Sequence, residues 1–430
     1  MRVRTYATAI VAVLAGGLLP VASAEAGIQA WQTKRPVVNV RLAENVSRPS
    51  RVKSLNMVFS SYFGEQILGP LEANINGSGV PTGWPSWSPT TVRLWNTFGY
   101  NSSKDVYEGI SWSNLNTANG VYDWTLFDSV LAKHKAKGVT DLLYTFCCTP
   151  TWAGGGVGND QAPANNQYLS DFATAVARRA IADGLPIRNW EVWNEPNNGS
   201  GTWIGTNAQM VSMAQTIQGA VKAVDPSYNV LTPSPQGNST TWMSGYLAAG
   251  GGAYADIIAF HGYTGTAPET IATLIDSYMS VYATYGQSAK PIWDTEAMDP
   301  TTSDPTLQAR FLAIYYLLHQ AKGVSRFYWY AYDGDKGQEW SYTSGLDAAG
   351  IADVQIHNWM LGATPGVLSQ SGTVYSIPLT KGRPTLALWD SAGSSVYPKG
   401  AYTKYTDLRG VVRSISGSTV SIGKDPILLW

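Results

Sequence analysis

The chain has 430 residues, of which 44% are hydrophobic and 14% are charged, and its formal net charge is −1. This length and composition suffice for a large core, and they exclude the basic surface that binds nucleic acid or anionic membranes. The 17 Trp and 24 Tyr, against 9 Phe, are more than an aromatic core alone predicts.

The N-terminus has the pattern of a secretory signal peptide. Two arginines lead an apolar run over residues 9–21, which is too short to span a bilayer. Ala22-Ser23-Ala24, or alternatively residues 24–26, offers a small-residue cleavage site. The sequence therefore predicts a signal peptide over residues 1–24, a polar lead-in over 25–53, and a mature protein that is secreted or periplasmic.

Between residues 54 and 362, short apolar runs alternate with segments of helical spacing. Eight such runs predict an α/β fold, a (β/α)8 TIM barrel, with a long mouth loop over residues 65–90. The predicted strands cover residues 56–63, 91–96, 141–146, 187–195, 229–234, 256–260, 290–296 and 326–330. The predicted helices include residues 124–137, 168–183, 207–224, 240–249, 268–284 and 307–318.

The hydrophobic pattern changes after the predicted barrel, where no helical periodicity is left. Short β runs separated by Gly, Ser and Pro predict a small C-terminal β-sandwich domain over residues 363–430. The runs cover residues 374–377, 385–389, 411–415, 419–422 and 427–430.

The two cysteines, Cys147 and Cys148, are adjacent. An exported chain permits disulfides, but a bridge between neighbouring residues requires unusual geometry. Two buried thiols at a strand end are the favoured interpretation, and a vicinal disulfide is the alternative.

Two predicted strands end in carboxylates. In Trp190-Glu191-Val192-Trp193-Asn194-Glu195-Pro196-Asn197, alternation places Glu191 and Glu195 on one face, and Pro196 ends the strand. A second strand ends in Trp293-Asp294-Thr295-Glu296 about a hundred residues later, which leaves room for three βα units. A carboxylate at the tip of a buried strand is costly to place there unless it is used.

Trp-Asn-Glu-Pro-Asn at 193–197 resembles the acid/base motif that closes the fourth strand in the clan of retaining glycosidases built on (β/α)8 barrels. The resemblance implies that Glu195 is the acid/base and that Asn194 binds the sugar 2-hydroxyl. It also implies that Glu296, at the end of the seventh strand, is the nucleophile. Asp294, two residues earlier on the same predicted face, is its rival, and Glu191 is interpreted as structural.

The same resemblance implies that further polar residues support the two glutamates. Arg93 is similar to the clan arginine that keeps the nucleophile ionised, with a structural salt bridge as the alternative. His261 and Tyr263 resemble residues that hold the nucleophile and line the sugar site, although a lone histidine is often a core residue.

Aromatic residues near the strand ends are candidates for the sugar platform, because flat amphipathic rings suit the C–H faces of sugars. Trp329, at the end of the eighth strand, resembles the clan's platform, and Tyr332 and Trp340 are alternatives. Trp152 is expected to line the same cleft.

Within the clan, the chain is most similar to glycoside hydrolase family 39, which pairs such a barrel with a β-sandwich. That family includes β-xylosidases, α-iduronidases and bacterial enzymes that degrade exopolysaccharides. The chain is shorter than the family's typical xylosidases, so its length fits the polysaccharide-acting members better.

These features together predict a monomeric retaining glycoside hydrolase that cleaves an oligo- or polysaccharide by double displacement. A transglycosylase with the same site and a catalytically inactive polysaccharide-binding barrel are the alternatives. No His, Cys or carboxylate cluster has the spacing of a metal site, and no Gly-rich phosphate loop follows a strand, so no metal or cofactor is expected. His134, His319 and His357 lie on helical patterns and are interpreted as packing residues.

Overall fold

The computed structural model describes residues 57–69, 83–156, 159–265, 267–334, 336–341 and 344–430. The predicted signal peptide and lead-in lie outside these residues. The first elements are β1 (Phe63–Ile67), β2 (Thr91–Leu94), β3 (Phe98–Asn101), β4 (Val106–Gly109), α1 (Trp112–Leu115), β5 (Asn116–Ala118), β6 (Val121–Tyr122), α2 (Thr125–Ala136), β7 (Asp141–Thr145) and α3 (Asn166–Ala182). The next are β8 (Asn189–Glu191), α4 (Asn207–Val224), β9 (Asn229–Leu231), α5 (Thr240–Ala248), β10 (Ile258–His261), α6 (Ile271–Thr284), β11 (Ile292–Ala297), α7 (Pro305–Ala321) and β12 (Arg326–Asp333).

After β12 come β13 (Trp340–Ser341), β14 (Gly345–Leu346) and α8 (Ala348–Met360). The C-terminal part contains β15 (Thr364–Pro365), β16 (Ser369–Ser371), β17 (Val374–Lys381), β18 (Arg383–Asp390), β19 (Ser395–Pro398), β20 (Lys404–Thr406), β21 (Val412–Ser414), β22 (Thr419–Ile422) and β23 (Ile427–Leu429).

A barrel of parallel strands forms the centre of the fold. In the described part of the chain, eight strands follow the order β1, β2, β7, β8, β9, β10, β11 and β12. β12 pairs back with β1, where Phe327 lies opposite Phe63. Single bridges, including one between Leu231 and Ile257, join β9 to the start of β10. The predicted (β/α)8 barrel is therefore confirmed.

The helices pack through one apolar face each, as α4 illustrates. Thr206 caps its first turn and forms a capping box with Gln209, which satisfies backbone N–H groups that the helix cannot pair itself. Its buried residues recur at helical spacing: Met210, Met213, Ala214, Ile217, Ala220 and Val221. No helix among the described residues combines the length and the apolar character needed to cross a membrane.

The first barrel strand lies later in the chain than its prediction over residues 56–63. Ser60–Tyr62 forms a 3₁₀ turn, and β1 begins only at Phe63. Gly64 is required within this strand, because a Cβ there would lie 2.3 Å from the Tyr328 ring. Glu65 is consequently a buried strand residue and not part of the predicted mouth loop.

The C-terminal strands form the expected antiparallel region. Alternation along β18 divides its side chains between two faces: Leu386 and Leu388 belong to a small separate core, whereas Ala387 and Trp389 join the main core. The Trp389 indole also donates to Glu269 Oε1 at 3.0 Å, which ties the sheet to the helical layer. The division into separate domains at residue 363 stays a prediction.

The favoured interpretation of Cys147 and Cys148 as free thiols is wrong, because the two sulfurs are bonded to each other. A trans peptide would hold the two Cα atoms about 3.8 Å apart. Here the intervening peptide bond is cis, and the Cα atoms are 3.0 Å apart.

Candidate active site

Polar side chains converge at the carboxyl ends of four barrel strands. Arg93 lies on β2, Glu195 follows β8, His261 ends β10, and Glu296 lies near the end of β11. In a parallel barrel these strand ends meet at one rim, where barrel enzymes place their active sites. The fold therefore brings together residues that are up to about two hundred positions apart in the sequence.

Glu195 is held in an unusual local geometry. Its φ is +46°, in the left-handed region, and its backbone N–H donates to Ser234 O at 3.1 Å. Its carboxylate contacts His261 Nδ1 at 2.9 Å and accepts from Asn198 Nδ2 at 2.7 Å. Burial raises the pKa of Glu195 to about 7, against the opposing effect of the Arg93 charge. This carboxyl therefore keeps its proton under mildly acidic conditions.

Glu296 has a different set of partners. Arg93 Nη1 donates to its Oε2 at 2.6 Å, and the Tyr263 hydroxyl donates to its Oε1 at 2.7 Å. Burial raises the pKa of Glu296, and the charge of Arg93 and the hydrogen bond from Tyr263 oppose that rise. Both donors stabilise the ionised form, whereas no Arg or Lys within the described residues forms an ion pair with Glu195.

The two carboxylates are close. One oxygen of Glu195, one of Glu296 and a ring nitrogen of His261 all lie within 4.8 Å of one another. His261 Nδ1 is 2.9 Å from Glu195 and 3.9 Å from Glu296. Burial lowers the pKa of His261, so the ring is neutral at neutral pH. The histidine thus bridges the pair without adding a positive charge.

Arg93 is the centre of a buried hydrogen-bond network. Besides Glu296, its guanidinium donates to Glu191 Oε2 at 2.6 and 2.9 Å, to Asn194 Oδ1 at 2.7 Å and to Gln66 Oε1 at 3.1 Å. Glu191 is fully buried in this network, and its interpretation as a structural residue stays a prediction. The network fixes the orientation of Asn194 and Glu296 together.

Asp294 does not compete with Glu296 for the site. The register of β10 against β11 shifts between Phe260–Asp294 and His261–Glu296, which marks a β-bulge. The bulge breaks the predicted common face, so Asp294 points to α7 and bonds His319 Nε2 at 2.7 Å. His319 therefore holds this carboxylate in addition to its packing role.

The predicted aromatic platform is not available on Trp329. This side chain is 0% exposed, and its indole nitrogen donates to Gly337 O at 2.8 Å, so it offers no face to a sugar. Tyr332 is also buried. Trp340 and Trp152 are partly exposed, and the Trp152 indole donates to Asn116 O at 2.8 Å.

Sequence reasoning missed several polar residues of the site. Asn198 and Gln66 contact Glu195 and Arg93, and the hydroxyls of Thr145 and Thr295 donate to Glu191 at 2.7 and 2.6 Å. Their positions at strand ends were the available signal. Glu195, His261 and Glu296 are close enough to ligate a cation, but both carboxylates and His261 Nδ1 are already hydrogen-bonded, and the Arg93 charge opposes a bound cation.

The family model for the glycosyl hydrolase catalytic core matches residues 106–352, more than half of the chain. The chain belongs to this family. It is therefore a glycosidase with a carbohydrate substrate, as its resemblance to the barrel clan predicted. The matched segment includes Glu195, His261 and Glu296 and leaves out Arg93. No curated protein matches this glycoside hydrolase.

Solved structures share its fold at low sequence identity. A family 39 glycoside hydrolase from Bacteroides cellulosilyticus WH2 has a TM-score of 0.66 at 15% identity, over 87% of this chain and 82% of that chain. A family 39 enzyme from Xanthomonas axonopodis pv. citri has 0.53 at 15%, over 87% and 95%. A family 30 endoxylanase from Clostridium papyrosolvens C71 has 0.56 at 12%, over 87% and 97%. These likenesses show a common fold.

Proposed function

We propose that this glycosidase acts with retention of anomeric configuration, with Glu195 as acid/base and Glu296 as nucleophile. The observation that carries the proposal is the separation of the two carboxylates, which have oxygens within 4.8 Å of each other. Retaining glycosidases hold their carboxyl groups about 5–5.5 Å apart, whereas inverting enzymes need about 6.5–9.5 Å to admit a water. The different partners of the two groups support the assignment of roles.

In the first step, the proton of Glu195 passes to the glycosidic oxygen as the bond from that oxygen to the anomeric carbon breaks. A Glu296 oxygen forms the new bond to the anomeric carbon and gives a covalent glycosyl-enzyme. Arg93 and Tyr263, which donate to Glu296, hold it ionised and aimed. Asn194, fixed by Arg93, is positioned to bond the sugar 2-hydroxyl.

In the second step, Glu195 takes a proton from water. The water oxygen attacks the anomeric carbon, and the bond to Glu296 breaks. Esterification of Glu296 has removed its negative charge, so the pKa of Glu195 falls and it can act as a base. His261, neutral and in contact with Glu195, can keep that carboxylate oriented in both steps.

We further propose that the substrate is an oligo- or polysaccharide and that the protein acts outside the cytoplasm as a monomer. The abundant Trp and Tyr support a sugar substrate. The leader-like residues 1–24 support export, and so does the Cys147–Cys148 disulfide, because disulfides persist in oxidising compartments. A polysaccharide-binding barrel without activity has no use for two carboxylates in this arrangement.

The stereochemistry of the first product tests the proposal. Proton NMR of a fresh digest should show the anomer with the configuration of the substrate before mutarotation mixes the two forms. Defined oligo- and polysaccharides serve as substrates, and products are resolved by mass. Inversion would overturn the roles of both glutamates.

The rate should follow a bell in pH, with an optimum on the acidic side of neutrality. Glu195 must carry its proton, and its pKa of about 7 means that the active form is present below pH 7 and is lost above it. Glu296 must be ionised, so the acid limb reports its deprotonation. Because the two carboxyl groups interact, the apparent pKa values of the two limbs describe the pair and not either residue alone. The measurement is kcat/KM against pH.

A matched control identifies the alkaline limb. Glu195→Gln and the parent are assayed on one substrate whose leaving group needs a proton, and the variant should lose that limb and keep the acid one. An alkaline limb that persists in this variant would contradict the assignment of Glu195.

A further inference from the structure

A second carboxylate cluster lies outside the active site, between the first barrel strand and the last helix. Glu65 on β1, Glu339 in the segment before β13 and Asp353 on α8 each place an oxygen within 4.8 Å of the other two. Their exposed fractions are 1%, 0% and 0%. The mechanism proposed above uses none of them.

The alternation of β1 explains why this cluster is separate. Gln66 points into the barrel, where it accepts from Arg93. Its neighbour Glu65 therefore points outward from the barrel, towards α8, which carries Asp353. The cluster and the active site lie on opposite faces of the same strand.

Five carboxylate oxygens of this cluster have no hydrogen-bond partner, although they are buried: Glu65 Oε2, both oxygens of Glu339 and both of Asp353. Buried carboxylates are normally paired or ligate metals, because leaving them unpaired costs several kcal/mol. The sixth oxygen of the cluster, Glu65 Oε1, accepts from Gln66 N at 3.1 Å. A ligand with positive charge would satisfy these five oxygens.

Basic side chains among the described residues do not neutralise the three carboxylates. No Lys or Arg of the described residues forms an ion pair with the three carboxylates. The nearest basic group is His357, whose Nδ1 lies 3.3 Å from Asp353 Oδ2. That nitrogen is already hydrogen-bonded to Asp353 O at 3.0 Å.

The backbone around the cluster is fixed. Glu339 donates its N–H to Tyr332 O at 3.0 Å, and its carbonyl accepts from Asp347 N at 2.9 Å. Gly350, in the first turn of α8, packs so closely that a Cβ would lie 2.6 Å from Glu339 O. Tyr316 donates to Gly64 O at 3.3 Å, next to Glu65. The carboxylates are therefore held together by structure that does not depend on their own hydrogen bonds.

We propose that Glu65, Glu339 and Asp353 bind a divalent cation, Ca2+, that joins β1 to α8. Ca2+ takes six to eight oxygen ligands and accepts carboxylates in either one- or two-oxygen mode, which suits a buried all-carboxylate cluster. Mg2+ usually keeps several waters and fits such a cluster less well. The proposal departs from the sequence-based expectation that the protein binds no metal.

Metal content and thermal unfolding of the purified full-length chain test the proposal. The protein should carry one Ca2+ per chain, measured by elemental mass spectrometry. EGTA should lower Tm by several degrees, and added Ca2+ should restore it, because a ligand that binds only the folded state raises its stability. Mg2+ at the same concentration should restore less.

Glu339→Gln removes one charged ligand and is expected to weaken Ca2+ binding by at least about 10-fold, because Ca2+ affinity depends on the number of charged ligands. The control is Asp425→Asn, which removes an exposed carboxylate paired with Arg310 and should leave the Ca2+ response unchanged. Terbium luminescence of the unmodified protein, sensitised by nearby aromatic residues and competed by Ca2+, gives a readout that does not depend on the folding of a variant.

Three results would overturn the proposal. One is a protein that carries no stoichiometric Ca2+ and whose Tm changes with neither EGTA nor added Ca2+. Another is a Glu339→Gln variant that is more stable than the parent and insensitive to Ca2+, because the cluster would then be held by shared protons. A third is a larger Tm increase with Mg2+ than with Ca2+.

Discussion

Glu296→Gln should lower kcat by about 10⁴- to 10⁶-fold, the range seen when a catalytic nucleophile is removed. The amide cannot form the glycosyl-enzyme, so neither natural nor activated substrates should be turned over. The amide oxygen can still accept from Arg93 or Tyr263, which now donate to the carboxylate. The fold should therefore survive, as far-ultraviolet circular dichroism and thermal unfolding would show.

The control for this variant is Asp276→Asn, which removes an exposed carboxylate paired with Lys322 on the outer helices and should keep full activity. A sharper test uses Glu296→Gly and added azide. Azide can occupy the vacated space and attack the anomeric carbon directly, so the glycosyl azide should have inverted configuration. An azide product with retained configuration would show that Glu296 is not the nucleophile.

Glu195→Gln should lower the rate on natural substrates by about 10²- to 10⁴-fold, the usual contribution of general acid–base catalysis. Its effect should depend on the leaving group. A substrate whose leaving group needs no proton should still form the glycosyl-enzyme and then stall, because no base activates water. Stopped-flow measurement should show a burst followed by slow turnover, and mass spectrometry should show the trapped intermediate.

Azide distinguishes Glu195 from Glu296. In Glu195→Gln, azide needs no deprotonation, so it should accelerate turnover and give a glycosyl azide with retained configuration. Exchange of these two behaviours between the variants would reverse the assigned roles. Equal loss on all substrates, with no burst, would indicate that Glu195 acts in binding and not in proton transfer.

The barrel could be predicted from regular periodicity, whereas the roles of Glu195 and Glu296 were expected from the resemblance of residues 193–197 to the clan motif. The 3.6-residue spacing of apolar side chains predicted a helix over residues 207–224, where α4 lies. Once the strands are parallel, carboxylates at the ends of two of them must share a rim. The contacts of Arg93 and Tyr263 with Glu296 were expected from the resemblance to the barrel clan and not from periodicity.

The remaining features depend on local breaks in periodicity. The β-bulge that separates Asp294 from Glu296 has no signature in the alternation of the strand. β1 contains Gly64, Glu65 and Gln66, and a glycine followed by two polar residues is typical of a loop. Because β1 was predicted too early in the chain, Glu65 was assigned to a loop and its cluster with Glu339 and Asp353 was missed. Residues so far apart in sequence also have no spacing pattern that would reveal such a cluster.

The backbone at Glu195, with φ of +46°, has a consequence for protein engineering. An L-residue other than Asn or Asp is disfavoured in this region, whereas Gly adopts it freely. Gly would also remove a buried acid. A laboratory selection that rewards heat resistance alone would therefore favour loss of this glutamate, since strain stored at a functional residue is released when function is given up. Mutant libraries made to find a more heat-stable form of this enzyme should keep residue 195 constant. Otherwise each round of selection needs a screen for sugar release.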